Sequence, residues 1–424
     1  MAMNTLPSAF VDAFDFFHAK MRITGTKGGV GLYYDRYLLQ QGTNNDVGPI
    51  SIGSTGFGMI SVCIGCALGM IPKYDAIRLT LETLESLLGE REGFTPKRSN
   101  RTKFFGHWLD PETGDLANNS EISTIDTALM AAGAMFARNY LKDPTVEQKT
   151  NSLVQGIDWG KAVGGDQYLC MVMNPDTGDP DWSKKTKPFN EYYVLACVGK
   201  VVEEEMKMSG GATTAYFNKY YGNPPQTLKD AGAVHKSYWG YNVWSDSESH
   251  FASSFQVQFC YYLSKFFQTC PAYQEFFTQS AAADWKYFRN VFNNSAYSKA
   301  VTKYAPYQWG CGAGAYPGGY FAVAIDNDDK LVYSSPIIAG FFPADEAVHT
   351  LEPQSFVHID EALEQLYTNE VCTCDVDGKK VLWRRSLLDK DWMPGAIQSV
   401  DFSTLLLGYA WKLAGKEFFS ANAI

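Results

Sequence analysis

The sequence predicts an all-α protein, an (α/α)6 toroid of six helix pairs in which short β-hairpins occur only in the loops. Amphipathic helical patterns recur about a dozen times along the 424 residues, and strand-like alternation is confined to short stretches. No tract rich in Pro, Ser or charge divides the chain, so we expect one domain over residues 1–424. Long loops, such as 158–190 and 304–319, predict a functional cleft at the mouth of the ring.

The predicted helices follow apolar residues that are spaced three and four apart. They cover residues 9–21, 55–69, 73–88, 124–141, 146–157, 191–206, 212–221, 251–267, 273–292, 344–351, 356–366 and 402–412. The clearest strand pattern is 320–325 followed by 330–333, and the Asp/Asn-rich residues between them predict the turn of a hairpin.

Composition and charge narrow the kind of partner. A net charge of −10 repels phosphate backbones and anionic lipid head groups, which argues against nucleic acid or a membrane surface. Aromatic residues make up 15% of the chain, with 10 Trp and 25 Tyr. Flat rings with a polar edge suit the faces of sugars, although core packing uses the same residues. A neutral oligo- or polysaccharide, a β-glucan for example, is therefore the expected partner. We expect the protein to be a monomer or a small homo-oligomer.

The cysteines predict neither disulfides nor a metal site. Nine is an odd number, and most of the cysteines lie in apolar runs, as reduced core residues do. Cys63 and Cys66 have C-x-x-C spacing, but no second Cys or His pair lies nearby to complete a zinc site, so we expect no metal or cofactor. Cys372 and Cys374 have no predicted role. No signal peptide is visible, which predicts a cytoplasmic protein, or a periplasmic or secreted one if a leader was removed.

Acidic residues begin several of the predicted helices. Glu191 lies where a long Trp-containing loop becomes an apolar helix, and such surroundings raise the pKa of a carboxyl toward that of a general acid. Glu121 and Asp126 flank the start of the helix at 124–141, and Asp401 opens the last apolar helix. Glycosidic bonds are cut by two carboxyl groups. Acids at the starts of ring helices all face one end of the ring, so they could meet in one cleft.

Each of these acids has a simpler interpretation as a helix cap, with Ser123 or Thr124 as a further candidate cap. A rival motif, residues 326–329, spells the DxDD of protonating terpene cyclases, but its place between two strand-like runs favours a turn. The sequence contains no G-x-S-x-G nucleophile elbow, and the glycine-rich residues 53–58 lack the Lys of a phosphate loop. A carboxylate-based enzyme remains the favoured interpretation.

Several blocks, in order from about Tyr34 to the C-terminus, resemble the glycoamylase-like proteins and the related endo-β-1,2-glucanases, which are (α/α)6 toroids. The blocks are Asp35-Arg36 with the serine-glycine run 51–58, His107-Trp108-Leu109-Asp110 with Thr113-Gly114, the acidic block 120–129, Asn190-Glu191-Tyr192, Trp309-Gly310 and Val400-Asp401. The second and third blocks are the most specific. Two other family blocks, after the glutamate and at 256–259, are only loosely echoed.

The resemblance implies an endo-acting, inverting glycoside hydrolase that cleaves β-1,2-glucan. By this resemblance Glu191 is the general acid, Asp401 the general base, and Asp126 with Glu121 lies around the reacting sugar. Candidate substrate-binding residues are Arg36 and His107 as hydrogen-bond donors, Tyr192, and Trp159, Trp182, Trp309 and Trp392 as sugar platforms. A transglycosylase or exo-acting β-glucosidase on the same scaffold stays open as an alternative, and so does a non-catalytic glucan-binding protein.

Overall fold

The computed structural model describes residues 6–39, 47–246, 253–295, 301–325 and 329–424. The helices are α1 Ser8–Phe16, α2 Ile52–Ala67, α3 Lys73–Leu88, α4 Thr124–Leu141, α5 Pro144–Gln155, α6 Tyr193–Glu205, α7 Ala212–Tyr220, α8 Gln226–Asp230, α9 Phe255–Leu263, α10 Lys265–Thr269, α11 Pro271–Asn293, α12 Ser335–Gly340, α13 Asp345–Leu351, α14 Ile359–Thr368, α15 Ser399–Ala414 and α16 Lys416–Asn422.

The strands are short. They are β1 Arg36–Leu38, β2 Ile50–Ser51, β3 Trp108–Leu109, β4 Ile122–Ser123, β5 Leu169–Cys170, β6 Val172–Met173, β7 Lys185–Thr186, β8 Val234–Tyr238, β9 Tyr241–Ser245, β10 Ala313–Tyr316, β11 Gly319–Ala322, β12 Val332–Ser334, β13 Thr373–Val376, β14 Lys379–Leu382, β15 Arg384–Ser386 and β16 Ala396–Gln398. They pair two by two: β1 with β16, β2 with β3, β4 with β6, β5 with β7, β8 with β9, β10 with β11, β12 with β15 and β13 with β14.

The helices form two concentric rings, which confirms the predicted (α/α)6 toroid. Helices α2, α4, α6, α9, α12 and α15 contact one another in that order, and α15 closes the inner ring against α2. Helices α1, α3, α5, α7, α11 and α14 alternate with them along the chain and pack outside. Because inner and outer helices alternate, all six inner helices run in the same direction and begin at one end of the ring.

The inner helices pack closely because glycine stands where they cross. A Cβ on Gly56 of α2 would lie 2.2 Å from the carbonyl oxygen of Leu129 in α4, and one on Gly133 of α4 would lie 2.1 Å from that of Gly56. Helix α2 is buried on every side from Ile52 to Gly65, as expected of a helix surrounded by neighbours. The outer α3, by contrast, keeps a polar face toward solvent.

The structure corrects the predicted hairpin. The segment predicted at 320–325 overlaps β11, which pairs with β10, and the segment at 330–333 overlaps β12, which pairs with β15. Of the rival DxDD motif, residues 326–328 lie outside the described residues.

The predicted helix at 251–267 also differs from the structure. Residues 251–252 are not described, and Ser264 adopts an extended backbone that divides the rest into α9 and α10. The prediction missed the short α8, α12 and α16. Among the described helices, none combines the length and the apolar character needed to cross a bilayer.

Candidate active site

The starts of four inner helices surround one cavity of about 430 Å³. Its lining comes from the first two turns of α4 and α9, from the start of α15, from Glu191 just before α6, and from the loops and hairpins at this end of the ring. The lining residues are Asp35, Arg36, His107, Trp108, Ile125, Asp126, Leu129, Glu191, Phe255, Phe259, Tyr320, Gln398, Val400 and Asp401. Glu191, Asp126 and Asp401, far apart in the sequence, therefore meet here together with Arg36 and His107.

Glu191 stands on one wall of the cavity in acidic surroundings. Burial raises the pKa of its carboxyl, and the negative charges of Asp246 and Asp126 raise it further, to about 7. A backbone hydrogen bond and a hydrogen bond with Gln256, in the first turn of α9, act in the opposite direction but do not outweigh them. A carboxyl in such a place retains its proton near neutral pH, as a general acid must.

A polar network fixes the loop that carries Glu191. Asn190 donates from Nδ2 to Asp246 Oδ2 at 2.8 Å, and Thr186 donates from Oγ1 to the same oxygen at 3.1 Å. On the other side of Asn190, its Oδ1 accepts from the backbone N–H of Tyr192 at 3.0 Å. The start of α6, and Glu191 with it, is thereby tied to the end of β9.

Asp401 stands on another wall, in the first turn of α15, and its side chain is 6% exposed. Burial raises the pKa of its carboxyl to about 7 and Asp35 adds to the rise, while the buried guanidinium of Arg384 opposes it. The hydroxyl of Tyr320 donates to Asp401 Oδ2 at 3.4 Å. Asp401 therefore has a cation and a hydroxyl donor beside it, which favour its ionised form.

Asp126 is held at the start of α4 by reciprocal hydrogen bonds. Ser123 caps this helix: its Oγ accepts from the backbone N–H of Asp126 at 3.2 Å and donates to Asp126 Oδ2 at 2.5 Å. The capping interpretation is thus correct for Ser123. Asp126 is 8% exposed and lines the cavity, so its carboxylate is both part of this cap and available to a ligand.

His107 is a cation among acids. Its Nδ1 lies 3.1 Å from Glu121 Oε1, and its Nε2 lies 3.8 Å from Asp126 Oδ2. Burial alone would lower the pKa of His107, but the charges of Asp126, Glu121 and Asp35 outweigh burial and raise it to about 9. Glu121 itself is exposed and is not among the lining residues, so it acts on the cavity through His107.

The pairing of β1 with β16 places two further polar side chains in the cavity near Asp401. Arg36 lies opposite Gln398 in the β1–β16 ladder, and both line the cavity. Next to Arg36, Asp35 accepts a hydrogen bond from the indole Nε1 of Trp108 at 3.1 Å. Burial raises the pKa of Asp35, although the nearby charges of Arg36 and His107 oppose that rise.

Two of the predicted sugar platforms are core residues, so that prediction is wrong for them. Trp159 is 2% exposed and donates from Nε1 to the carbonyl oxygen of Val154. Trp309 is 1% exposed and stacks on Phe341 with ring centroids 6.1 Å apart. Neither ring has a free face for a sugar.

The three other predicted aromatic contacts lie outside the cavity lining. Trp182 is 38% exposed on a surface loop, and Trp392 is partly buried in the loop before β16. Tyr192 is 4% exposed and packs behind Glu191, with a hydrogen bond to Thr124 of α4. It supports the site without facing the cavity.

Sequence reasoning missed several residues that act on the two acids. Asp246 and Arg384 lie in strands or at strand ends that carry no motif, and the alternation that includes Tyr320 predicts only a strand. Trp108 stands beside His107 in the most specific block, and this position is a signal that could have identified it as a site residue.

A possible cation-binding group in the described residues lies elsewhere. Asp345, Glu346 and His358 have ligand atoms within 4.8 Å of one another at the junction of α13 and α14. The carboxylate of Asp345 already accepts from the backbone N–H of Ile359 and bonds the His358 ring. These contacts explain the cluster as a connection between the two helices.

No family model and no curated protein matches the sequence. Solved structures do match, and they support the fold. The endo-β-1,2-glucanase of Chitinophaga pinensis, solved with sophorotriose and glucose, superposes with a TM-score of 0.73 at 15% identity, over 97% of this chain and 95% of that one. The β-1,2-glucanase of Parabacteroides distasonis superposes with a TM-score of 0.71 at 17% identity, over 99% of this chain and 58% of that one. The endo-β-1,2-glucanase of Talaromyces funiculosus, solved with sophorose, superposes with a TM-score of 0.61 at 10% identity, over 96% of this chain and 83% of that one. The resemblance seen in the sequence is confirmed at the level of the fold.

Proposed function

We propose that this protein is a glycoside hydrolase that cleaves β-1,2-glucan within the chain and with inversion of the anomeric configuration. One observation carries the proposal: Glu191 and Asp401 line the same cavity, and burial raises the pKa of both carboxyls to about 7. Two carboxyls in one cleft, one protonated and one ionised, are what glycosidic bond hydrolysis requires. The likeness of the fold to enzymes named as β-1,2-glucanases supports the choice of substrate.

In the proposed reaction Glu191 donates its proton to the glycosidic oxygen as the bond from that oxygen to C1 breaks. Oε2 of Glu191 is buried without a hydrogen-bond partner among the described residues, and we propose that the glycosidic oxygen becomes its partner when the substrate binds. A water molecule adds to C1 from the opposite face, and its proton passes to Asp401 directly or by relay. Proton exchange with solvent then protonates Glu191 and deprotonates Asp401 for the next cycle.

The electrostatics favour inversion over retention. Retaining enzymes place their two carboxyls only about 5 to 5.5 Å apart, so each should be the strongest charge felt by the other. Here the strongest acidic neighbour of Glu191 is Asp246, and that of Asp401 is Asp35. We therefore propose that the two carboxyls stand farther apart than those of a retaining pair, as inversion requires.

The same cavity supports binding to the rest of the sugar. Asp126, His107, Arg36 and Gln398 offer acceptors and donors to hydroxyl groups, and Trp108 and Phe255 offer apolar ring surface. We assign these residues to the substrate-binding site. The proposal needs no metal or organic cofactor, because the proton transfers use side chains and water only.

The test is a screen of β-1,2-, β-1,3- and β-1,4-glucans with detection of new reducing ends, followed by product sizing. We expect activity on the β-1,2-linked polymer, with oligosaccharides of several lengths appearing early. Proton NMR of the first products should show the α-anomer. A single small sugar would contradict endo action, longer transfer products would favour a transglycosylase, and the β-anomer would contradict inversion.

The non-catalytic alternative needs a separate control. Glu191→Gln keeps the shape of the side chain and removes its acid function, and Glu204→Gln, on the exposed face of α6, is the matched change outside the cavity. We expect Glu191→Gln to bind β-1,2-glucan without cleaving it, while Glu204→Gln keeps full activity. If wild-type protein binds the glucan but releases no reducing ends, the protein is a binding protein and the hydrolase proposal is wrong.

A further inference from the structure

The β10–β11 hairpin presents an exposed aromatic ring at the mouth of the cavity. Tyr320 lines the cavity and is 60% exposed. Its hydroxyl reaches inward to Asp401 Oδ2 at 3.4 Å, while most of the side chain remains open to solvent. The ring therefore lies over the entrance, with one end anchored on the proposed general base.

The hairpin holds Tyr320 in place from behind. Tyr320 pairs directly with Ala315 across the ladder, and the backbone N–H of Ala315 donates to Gln398 Oε1 at 2.9 Å. Arg384 donates to the carbonyl oxygen of Gly312, just before β10, at 2.8 Å. Gly314 permits this contact, because a Cβ there would lie 2.8 Å from the Arg384 guanidinium and its φ is +132°.

The next residue of the hairpin behaves differently. Phe321 is also partly exposed, at 38%, but its ring packs against Tyr316 within the same hairpin, with centroids 5.0 Å apart. It is not among the residues that line the cavity. Successive side chains of a strand point to opposite faces, so β11 directs Tyr320 to the cavity and Phe321 away from it.

We propose that Tyr320 is a sugar-stacking residue at the mouth of the active site and that its hydroxyl positions Asp401 for the attack of water. This inference rests on the proposed glycosidase function. The ring supplies a flat apolar face for a glucose unit beside the cleaved bond, as exposed aromatic rings do for carbohydrates. The hydroxyl donates to the ionised form of Asp401 and so stabilises the state that accepts the proton.

Two substitutions at Tyr320 separate the ring from the hydroxyl. Tyr320→Ala removes both, and Tyr320→Phe removes only the hydroxyl. Phe321→Ala is the matched control, because it removes an exposed aromatic ring from the same strand on the face turned away from the cavity. Affinity is measured by calorimetry with a β-1,2-linked glucose trisaccharide in the inactive Glu191→Gln background, and kcat, KM and their pH profiles are measured with each variant in the otherwise wild-type protein.

We expect Tyr320→Ala to weaken trisaccharide binding about tenfold and to raise KM by a similar factor, whereas Tyr320→Phe changes affinity by less than about twofold. Tyr320→Phe should lower kcat about tenfold and move the acidic limb of its pH profile to higher pH, because the lost donor raises the pKa of Asp401. Phe321→Ala should change none of these values.

Equal affinities for Tyr320→Ala and Phe321→Ala would overturn the stacking role. An unchanged kcat and acidic limb in Tyr320→Phe would overturn the positioning role. Either result could occur while wild-type protein still cleaves β-1,2-glucan, so it would refute this inference and leave the proposed function intact. If the Glu191→Gln protein with Tyr320 unchanged binds no trisaccharide and the wild type cleaves no glucan, the proposed function fails and the inference fails with it.

Discussion

The two walls of the cavity both raise the pKa of a carboxyl by burial, but they differ in charge. The Glu191 wall consists of Glu191 with Asp246 and Asp126, so its carboxyl has two acids as its main charged neighbours. The Asp401 wall consists of Asp401 with Arg384, Tyr320 and Asp35, so a cation and a hydroxyl donor offset the single acid. Burial raises both pKa values, but the neighbours favour the protonated form on the first wall and the ionised form on the second.

Backbone groups favour the ionised form of both carboxyls. Asp401 lies within the first turn of α15, where the free backbone N–H groups and the helix dipole favour a negative charge. Glu191 lies before the first residue of α6, and a backbone hydrogen bond lowers its pKa as well. Environment rather than residue type therefore distinguishes the acid from the base, as in other paired carboxylates. This difference between the two walls can be tested in four ways, from the largest expected effect to the smallest.

The largest effect is expected when the roles of Glu191 and Asp401 are compared on substrates whose leaving groups differ in their need for a proton. Glu191→Gln and Asp401→Asn should each lower kcat on β-1,2-glucan by about 10²- to 10⁴-fold, as expected for the loss of a general acid or base. A β-1,2-linked disaccharide with a nitrophenolate leaving group needs no proton at departure. On this substrate Glu191→Gln should recover most of its rate, whereas Asp401→Asn should stay slow because water must still lose a proton. Recovery of Asp401→Asn instead would reverse the two assignments.

The second prediction concerns stability, because a carboxyl kept at a raised pKa destabilises the fold once it ionises. Asp401 has a folded-state pKa of about 7, against 3.8 in the unfolded chain. The folded state is favoured while the group is protonated, and this contribution is lost as pH rises from about 4 through 7. Asp401→Asn never ionises, so it should be more stable than wild type at pH 8, by roughly 1 to 4 kcal/mol.

Thermal unfolding at pH 8 and pH 4 measures this difference. Most of the stabilisation should be lost at pH 4, where Asp401 is protonated in the folded state and about half protonated in the unfolded chain. Asp360→Asn is the control, since Asp360 is exposed and salt-bridged to Lys412, so its removal should not stabilise the protein. A variant that is less stable than wild type at pH 8 would show that the Asp401 wall does not disfavour the charge.

A third prediction concerns His107, whose cation lies near acids of both walls, Asp126 on one and Asp35 on the other. His107→Gln keeps a donor but removes the charge, so KM should rise about tenfold while kcat changes by less than about threefold. In wild type KM should rise above pH 9, where His107 loses its proton, and in the variant this rise should be absent. His235→Gln, on the β8–β9 hairpin, is the control. A fall in kcat larger than the rise in KM would give His107 a role in proton transfer.

The helical framework could be predicted because periodicity is a local property. Twelve helical segments were predicted from spacing alone, and the capping role of Ser123 followed from residue type and position. The acids were found for a related reason: each lies at the start of a helix, and the alternation of inner and outer helices brings the starts of all inner helices to one end. The short α12 was missed, since six residues are too few to show a helical period.

The chemistry around the acids could not be predicted, because it depends on contacts between distant parts of the chain. Arg384 reaches Asp401 from β15, Asp246 reaches Glu191 from the end of β9, and Tyr320 arrives on the β10–β11 hairpin. Aromatic content was equally uninformative about position. Trp159 and Trp309 pack in the core, while Trp108 faces the cavity, and nothing in their residue type distinguishes the two environments.

The smallest expected effect is also the most direct comparison of the two walls. Removing a negative neighbour lowers the pKa of a carboxyl, so Asp246→Asn should lower that of Glu191 and Asp35→Asn that of Asp401, each by about half a pH unit. The acid must be protonated, so Asp246→Asn moves the alkaline limb of kcat/KM to lower pH and narrows the profile. The base must be ionised, so Asp35→Asn moves the acidic limb to lower pH and widens it. Two neutralisations of the same sign should thus change the width of one bell-shaped curve in opposite directions, and a shift of the same limb in both variants would show that the walls do not act separately.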